Sequence, residues 1–77
     1  MHDRMLEALQ IMDRLEKEHG GGAATKERLE AEMAMSNDEM GLLLAEANAS
    51  DLAFPMPPKL DWRVDEKGYA LIEAATS

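Results

Sequence analysis

The sequence lacks cysteine altogether and has few aromatic residues, few prolines and few bases for its 77 residues. Without cysteine, neither a disulfide nor a thiolate metal site can stabilise the chain. A domain of this size buries only about 60% of the surface of its unfolded chain, so its core is small. Because only three residues are aromatic, that core must be built from leucine, alanine, isoleucine and the seven methionines. We expect one domain over residues 1–77.

Long apolar runs are also missing from the sequence. A membrane-spanning helix needs about 20 mostly apolar residues in succession, and no run here approaches that length. The amino-terminal residues lack the apolar core of a signal peptide. Together with the absence of cysteine, this composition predicts a soluble protein of the cytoplasm that makes no membrane contact.

Bases are outnumbered two to one: eight lysines and arginines stand against sixteen acids, which gives a net charge of −8. Such a charge favours solubility and repels other polyanions at long range. Between Arg28 and Lys59 there is no lysine or arginine, although the same interval holds six acids. Nucleic acids are bound largely through basic contacts to phosphates, so the middle of the chain is expected to disfavour them.

Three helices are predicted in the first two thirds of the chain. The first spans residues 3–18, with Asp3 as its N-cap and an apolar stripe at helical spacing formed by Met5, Ala8, Leu9, Met12 and Leu15. The glycines at 20–22 end this helix. A shorter second helix begins near Thr25 and ends around Met35.

The third helix has the clearest start signal and is predicted over residues 36–49. Ser36 and Glu39 have the spacing of a capping box, in which each side chain accepts a bond from the other residue's backbone N–H. The helix follows the second one after a very short turn, which is typical of a helix-turn-helix.

Proline and strand-like alternation mark the segment that follows the third helix. Three prolines between residues 55 and 58 exclude a helix there. We expect a small hairpin with arms at 52–54 and 60–64. In the second arm, strand spacing predicts three apolar side chains facing inward and two charged ones facing outward, namely Leu60, Trp62 and Val64, and Asp61 and Arg63.

The order of three helices, a hairpin and a last helix resembles the winged-helix fold. The detailed resemblance lies in Trp62-Arg-Val-Asp-Glu-Lys-Gly-Tyr-Ala-Leu-Ile-Glu-Ala. This stretch is similar to the junction between wing and terminal helix in MarR-type regulators, with Asp65 at the usual threonine position and as cap of the last helix. The expected fold class is therefore mainly α with a small β-hairpin, a winged helix-turn-helix.

In the winged-helix family the third helix enters the major groove of DNA, and the hairpin, or wing, contacts the DNA backbone or minor groove. The resemblance thus assigns partner binding to residues 36–49 and 52–64. Acids on the third helix would be repelled by phosphates, so nucleic acid is disfavoured there. We predict a small protein that acts by protein–protein interaction as regulator, adaptor or inhibitor, including as an acidic decoy for a DNA-binding protein.

Two surfaces are the candidate sites for a protein partner with a basic surface. The outer face of the third helix contributes Asp38, Glu39, Leu42 and Glu46. The wing contributes a stiff segment that needs little ordering on binding, with the residues Phe54, Met56, Pro57 and Pro58. The competing interpretation of the wing is that Phe54 and Met56 only cover the open end of the core.

Two other interpretations remain open from the sequence. The chain could be a DNA-binding transcriptional regulator if its scattered bases gather on one face of the fold. The broad apolar face of the first helix also allows a homodimer, or docking of that helix in a larger complex.

The residues capable of catalysis or metal binding do not form a recognisable set. His2 and His19 are expected to be solvated, and neighbouring carboxylates on an acidic surface are normally solvated as well. The three glycines lack the Lys-Ser/Thr of a phosphate-binding loop and do not follow a strand. We predict no enzymatic activity, no cofactor and no metal.

Overall fold

Four helices and one hairpin follow one another in the predicted order. The computed structural model describes residues 2–76, so the two ends of the predicted domain, Met1 and Ser77, lie outside the described range. The elements are α1 (Met5–His19), α2 (Lys26–Met33), α3 (Asn37–Ala49), β1 (Ala53–Met56), β2 (Asp61–Val64) and α4 (Glu66–Thr76). The predicted fold class, mainly α with an antiparallel hairpin between the third and last helices, is confirmed. This layout is compatible with a winged helix.

One hydrophobic cluster joins the elements. α1 lies at its centre, since all five residues of the apolar stripe are fully buried. Five methionines belong to the cluster, as expected for a core with few aromatic residues: Met5, Met12, Met33, Met35 and Met40. Because this chain's own residues cover the stripe, a homodimer through α1 would have to use other residues of that helix, and such a dimer stays a prediction. No helix within residues 2–76 is long and apolar enough to cross a bilayer.

Local signals at three helix ends act as predicted. Thr25 and Ser36 each accept a hydrogen bond from the backbone N–H three residues further on, at 3.2 Å. Within the described residues, the predicted capping box is formed in part. The Ser36 hydroxyl accepts the Glu39 N–H, but the Glu39 side chain does not accept the Ser36 backbone N–H. Gly20 ends α1 with a left-handed φ of 83°, a conformation that favours glycine.

The start of α1 differs from the prediction. Asp3 is not the N-cap, because the helix begins after Arg4, whose own side chain makes no capping bond. The imidazole of His2 supplies an acceptor instead and takes the Arg4 backbone N–H at 3.0 Å. The Arg4 guanidinium donates to the Met33 carbonyl oxygen at 2.8 Å, which ties the start of α1 to the end of α2.

The hairpin pairs Pro55 with Trp62 across its two strands. The backbone N–H of Trp62 points away from β1, since it donates to the Ala24 carbonyl oxygen at 2.7 Å. Pro55 and Trp62 therefore form a non-hydrogen-bonded pair, and the missing N–H of the proline removes no bond between the strands. The bond to Ala24 also fastens the hairpin to the segment that precedes α2.

The predicted facing of the second arm is wrong at two positions. Asp61 is only 4% exposed, whereas Leu60 is 58% exposed and lies in the turn before β2 with a left-handed φ of 59°. Val64 is buried as predicted, and Trp62 and Arg63 are half-buried. The alternating pattern of a strand predicts that a charged side chain faces outward. It carries no information about the distant polar groups that form hydrogen bonds with Asp61 inside the fold.

Gly68 allows α4 to pack closely against the segment that follows α3. A Cβ atom at Gly68 would overlap the carbonyl oxygen of Leu52 and would lie 2.7 Å from a methyl carbon of Val64. The Asp65 N–H donates to the same Leu52 oxygen at 2.9 Å. The glycine in the first turn of α4 is thus required by the close approach of two backbones.

Gly68→Ala is expected to lower the free energy of unfolding by about 1 to 3 kcal/mol, because the added methyl group overpacks a closed site. Urea unfolding followed by tryptophan fluorescence measures this. Gly41→Ala is the matched control, since it also lies in a helix and its added Cβ would meet only the Lys26 Nζ, at 3.8 Å. We expect that control to be about 0.5 to 1 kcal/mol more stable than wild type. Equal effects of the two substitutions would contradict this account.

Candidate partner-binding surfaces

The outer side of α3 is an acidic surface with a leucine at its centre. Asp38, Leu42 and Glu46 follow one another at intervals of four residues, so they form a row along the helix, and Glu39 lies beside it. Leu42 is 72% exposed, more than any other large apolar side chain in residues 2–76. The opposite side of α3 is buried in the core. The structure therefore brings the four predicted residues of this helix onto one surface, which we call the α3 face.

Among residues 2–76, the acids of the α3 face form no ion pair with a lysine or arginine. Within the described part of the chain, neither Asp38 nor Glu39 has a basic group within 4 Å. The Glu46 carboxylate accepts a hydrogen bond from the His2 backbone N–H at 2.6 Å, which holds it in place. The α3 face consequently presents negative charge around an apolar centre.

The four predicted residues of the hairpin differ in their exposure to solvent. Met56, Pro57 and Pro58 are exposed at the tip, whereas Phe54 is half-buried in β1 opposite Arg63. Two concave surfaces adjoin the hairpin, and both are lined by residues of the α1–α2 loop or the start of α2 rather than by α3. Binding of a partner by either predicted set stays a prediction.

A buried carboxylate fixes the hairpin to the helices. Asp61 Oδ2 accepts hydrogen bonds from Arg63 Nε at 2.6 Å and from the Gly22 N–H at 3.1 Å. Arg63 Nη1 also donates to a carboxylate oxygen of Glu16 on α1, at 3.2 Å. The bond from Arg63 is the main cause that lowers the pKa of Asp61, burial opposes this effect, and the Gly22 N–H adds to the lowering. We call these four residues the Asp61 cluster.

The sequence analysis missed the Asp61 cluster because its members are far apart along the chain. One local signal is present in the glycine run, since a Cβ at Gly21 would lie 2.5 Å from Arg63 Nη2. The absence of a side chain at that position leaves room for the guanidinium. The sequence predicts only that the glycine run ends the first helix, and nothing in its spacing indicates which arginine it accommodates.

Seven of the eight lysines and arginines form ion pairs with carboxylates of the same chain. The pairs are Arg4–Glu7, Arg14–Glu18, Arg14–Glu32, Lys17–Asp13, Lys26–Glu30, Arg28–Glu32, Arg63–Glu16, Arg63–Asp61 and Lys67–Asp51. Among the described residues, Lys59 is the one lysine or arginine without such a pair. Because the paired bases already face carboxylates, the described surface offers phosphates no group of unpaired bases.

Residues 2–76 contain no group of three or more acidic or histidine side chains that converge as metal ligands. Every buried side-chain nitrogen or oxygen atom in this range has a hydrogen-bond partner. The described polar groups of the interior are therefore matched within the fold.

Comparisons of the chain with protein-family models, with curated proteins and with solved structures gave no match. Its function must therefore be inferred from the geometry and charge of its own residues.

Asp61→Asn is expected to lower the free energy of unfolding by about 1 to 3 kcal/mol at neutral pH, because a charged acceptor of buried hydrogen bonds is lost. The folded-state pKa of Asp61 is lowered from its ordinary value of about 3.9. Its contribution is thus complete above that value and is lost as the pH falls through the folded-state pKa.

The difference in unfolding free energy between wild type and Asp61→Asn should therefore be constant above about pH 5 and shrink below about pH 4. Urea unfolding at a series of pH values measures it. Asp3→Asn, at an exposed position, is the control and should stay within about 0.5 kcal/mol of wild type. A difference that persists undiminished in acid would contradict the role given to Asp61.

Proposed function

We propose that this chain is a winged-helix module that binds a protein partner with a basic surface through the α3 face. The observation that carries the proposal is the exposure of Leu42 among acids on a helix without lysine or arginine. In a winged-helix domain the corresponding helix is the one that meets DNA. An apolar centre with a charged rim is the usual composition of a protein interface, and a helix face of this kind fits a groove with an apolar floor and basic edges.

Leucine and carboxylates would make different contributions to this contact. Full burial of a leucine side chain contributes about 1.5 to 3 kcal/mol, so Leu42 would supply much of the affinity. The carboxylates would mainly steer the encounter and select the partner. The net charge of −8 adds long-range attraction to any basic surface, and the exposed Met56, Pro57 and Pro58 could widen the contact.

Such a module would act by covering the basic surface of its partner, as a regulator, adaptor or inhibitor. If that surface normally binds DNA, covering it would compete with DNA, which is the behaviour of an acidic decoy. The alternative, a DNA-binding transcriptional regulator, would require the scattered bases to gather on one face of the fold. Seven of the eight bases are instead paired within the chain, and Lys59 in the hairpin turn is the one base without a pair among the described residues. This distribution favours the protein-binding role.

The charge of the α3 face is tested with a fluorescein-labelled helical peptide that carries leucine and lysine on one face, as a model of a basic partner. Asp38→Asn/Glu39→Gln is expected to weaken binding about fivefold, as expected for the loss of two exposed charges. Glu18→Gln/Glu66→Gln is the matched control, because it removes two exposed acids, from the last turn of α1 and the first turn of α4. The control has the same net charge and should bind within about twofold of wild type. Equal weakening by both variants would indicate unspecific attraction and would contradict the proposal.

Leu42→Gln tests the apolar centre with the same peptide. Glutamine is a good helix former and the leucine is 72% exposed, so the free energy of unfolding should stay within about 0.5 kcal/mol of wild type. Binding of the peptide should weaken about tenfold, because about 1.4 kcal/mol of apolar burial is lost. A Leu42→Gln variant that binds as tightly as wild type would refute the role of this residue.

A further inference from the structure

A concave surface of about 390 Å³ lies between the hairpin and the start of α2. The hairpin lines it with three apolar side chains, those of Pro55, Leu60 and Trp62. Lys59 and Lys26 also line it. We call this surface the Trp62 pocket. Its volume is at the lower end of the range of ligand sites, about 300 to 1,000 Å³, and suits one or two side chains of a bound segment.

The walls of the Trp62 pocket are held by backbone hydrogen bonds. The Trp62 N–H donates to Ala24 at 2.7 Å, and the Leu60 N–H donates to the Met56 carbonyl oxygen at 2.8 Å. Pro55 lies directly opposite Trp62 in the hairpin, so the two side chains are on the same face. A pocket formed in advance loses little conformational entropy when it is occupied.

Leu60 lies at the pocket and contributes little to the core. It is 58% exposed and has a left-handed φ of 59°. This conformation is costly for a leucine, whereas asparagine or glycine would adopt it readily. The exposed leucine adds apolar surface beside Trp62 and Pro55, where the apolar group of a ligand would be buried.

The charge of the Trp62 pocket is opposite to that of the α3 face. Lys59 has no carboxylate within 4 Å among residues 2–76, and its side chain passes over Gly22, with Cδ 3.6 Å from the site of a Cβ there. Lys26 is paired with Glu30 at 3.8 Å, the longest ion pair in the described chain. Glu27 is the one acid that lines the pocket. The side chains of two lysines therefore line an apolar surface on an otherwise acidic protein. The Lys59 Nζ lies 3.9 Å from the site of a Cβ at Gly22, and the Lys26 Nζ lies near Glu30 and Gly41.

We infer that the Trp62 pocket binds a short segment of a partner protein in which an apolar side chain lies next to a carboxylate. The apolar group would contact Trp62, Pro55 and Leu60, and the carboxylate would be bound by Lys59 and Lys26. This site shares no lining residue with the α3 face. Because the net charge of −8 repels an acidic segment at long range, the attraction must come from contacts in the pocket.

The single tryptophan of the chain makes intrinsic fluorescence a reporter of this site. The probes are the capped tripeptide acetyl-Asp-Leu-Asp-amide and its neutral counterpart acetyl-Asn-Leu-Asn-amide. We expect the acidic peptide to change the fluorescence of Trp62 saturably and to bind at least about fivefold more tightly than the neutral one, an effect typical of an exposed charge pair. Absence of a saturable change, or equal affinities of the two peptides, would overturn the inference.

Variants separate the two kinds of contact. Lys59→Gln should weaken the acidic peptide about fivefold and leave the neutral one unchanged. Lys67→Gln is the matched control, since it changes net charge equally at an exposed base that pairs with Asp51 at 3.7 Å. Equal effects of these two substitutions would overturn the inference.

Leu60→Asn keeps the left-handed turn and should weaken both peptides alike, because only apolar contact is lost. If it left both affinities unchanged, the apolar part of the inference would be wrong. Asp38→Asn/Glu39→Gln should bind both peptides as wild type does. Failure at the Trp62 pocket and failure at the α3 face are therefore distinguishable.

Discussion

The hydrogen bonds accepted by Asp61 determine how the hairpin packs against the helices. One buried carboxylate joins Gly22 of the α1–α2 loop to Arg63 of β2, and Arg63 continues to Glu16 of α1. Because these hydrogen bonds hold the Asp61 side chain inside the fold, they fix which side chains of β2 face the core. Leu60 then lies in the turn at the edge of the fold. The Trp62 pocket and the orientation of the hairpin tip both depend on this arrangement.

The distribution of charge explains why the two candidate surfaces differ in character. Apart from Arg63, the paired bases form ion pairs at the surface, and exposed pairs of this kind add little to stability. Because the two charges of each pair cancel, the excess of acids over bases determines the electrostatic field around the chain. On α3 that surplus surrounds an exposed leucine, whereas beside Trp62 an unpaired lysine borders a concave apolar surface. The acidic α3 face and the lysine-lined Trp62 pocket would suit partners of opposite charge.

The sequence predicted those features that depend on neighbouring residues. The caps at Thr25 and Ser36 were predictable because each acts across three residues, and the exposure of Leu42 followed from the apolar positions that α3 turns to the core. The burial of Asp61 was not predictable, since one of its donors, Gly22, is 39 residues away. The Asp3 cap was wrong although its signal is local, because the helix begins after Arg4 and the His2 imidazole accepts the Arg4 N–H. The acidic surface of α3 was thus foreseen, and the pocket beside Trp62 was not.

Seven of the eight bases pair with carboxylates of the same chain, and we propose that α3 contacts protein rather than nucleic acid. A fluorescence-anisotropy titration with a labelled mixed-sequence DNA duplex, at low salt and again at higher salt, tests this proposal. Low salt maximises any attraction to phosphates. We predict no saturable binding under either condition. Binding at low salt that fades steeply as salt is added would show that unpaired bases gather on one face, and would contradict the account.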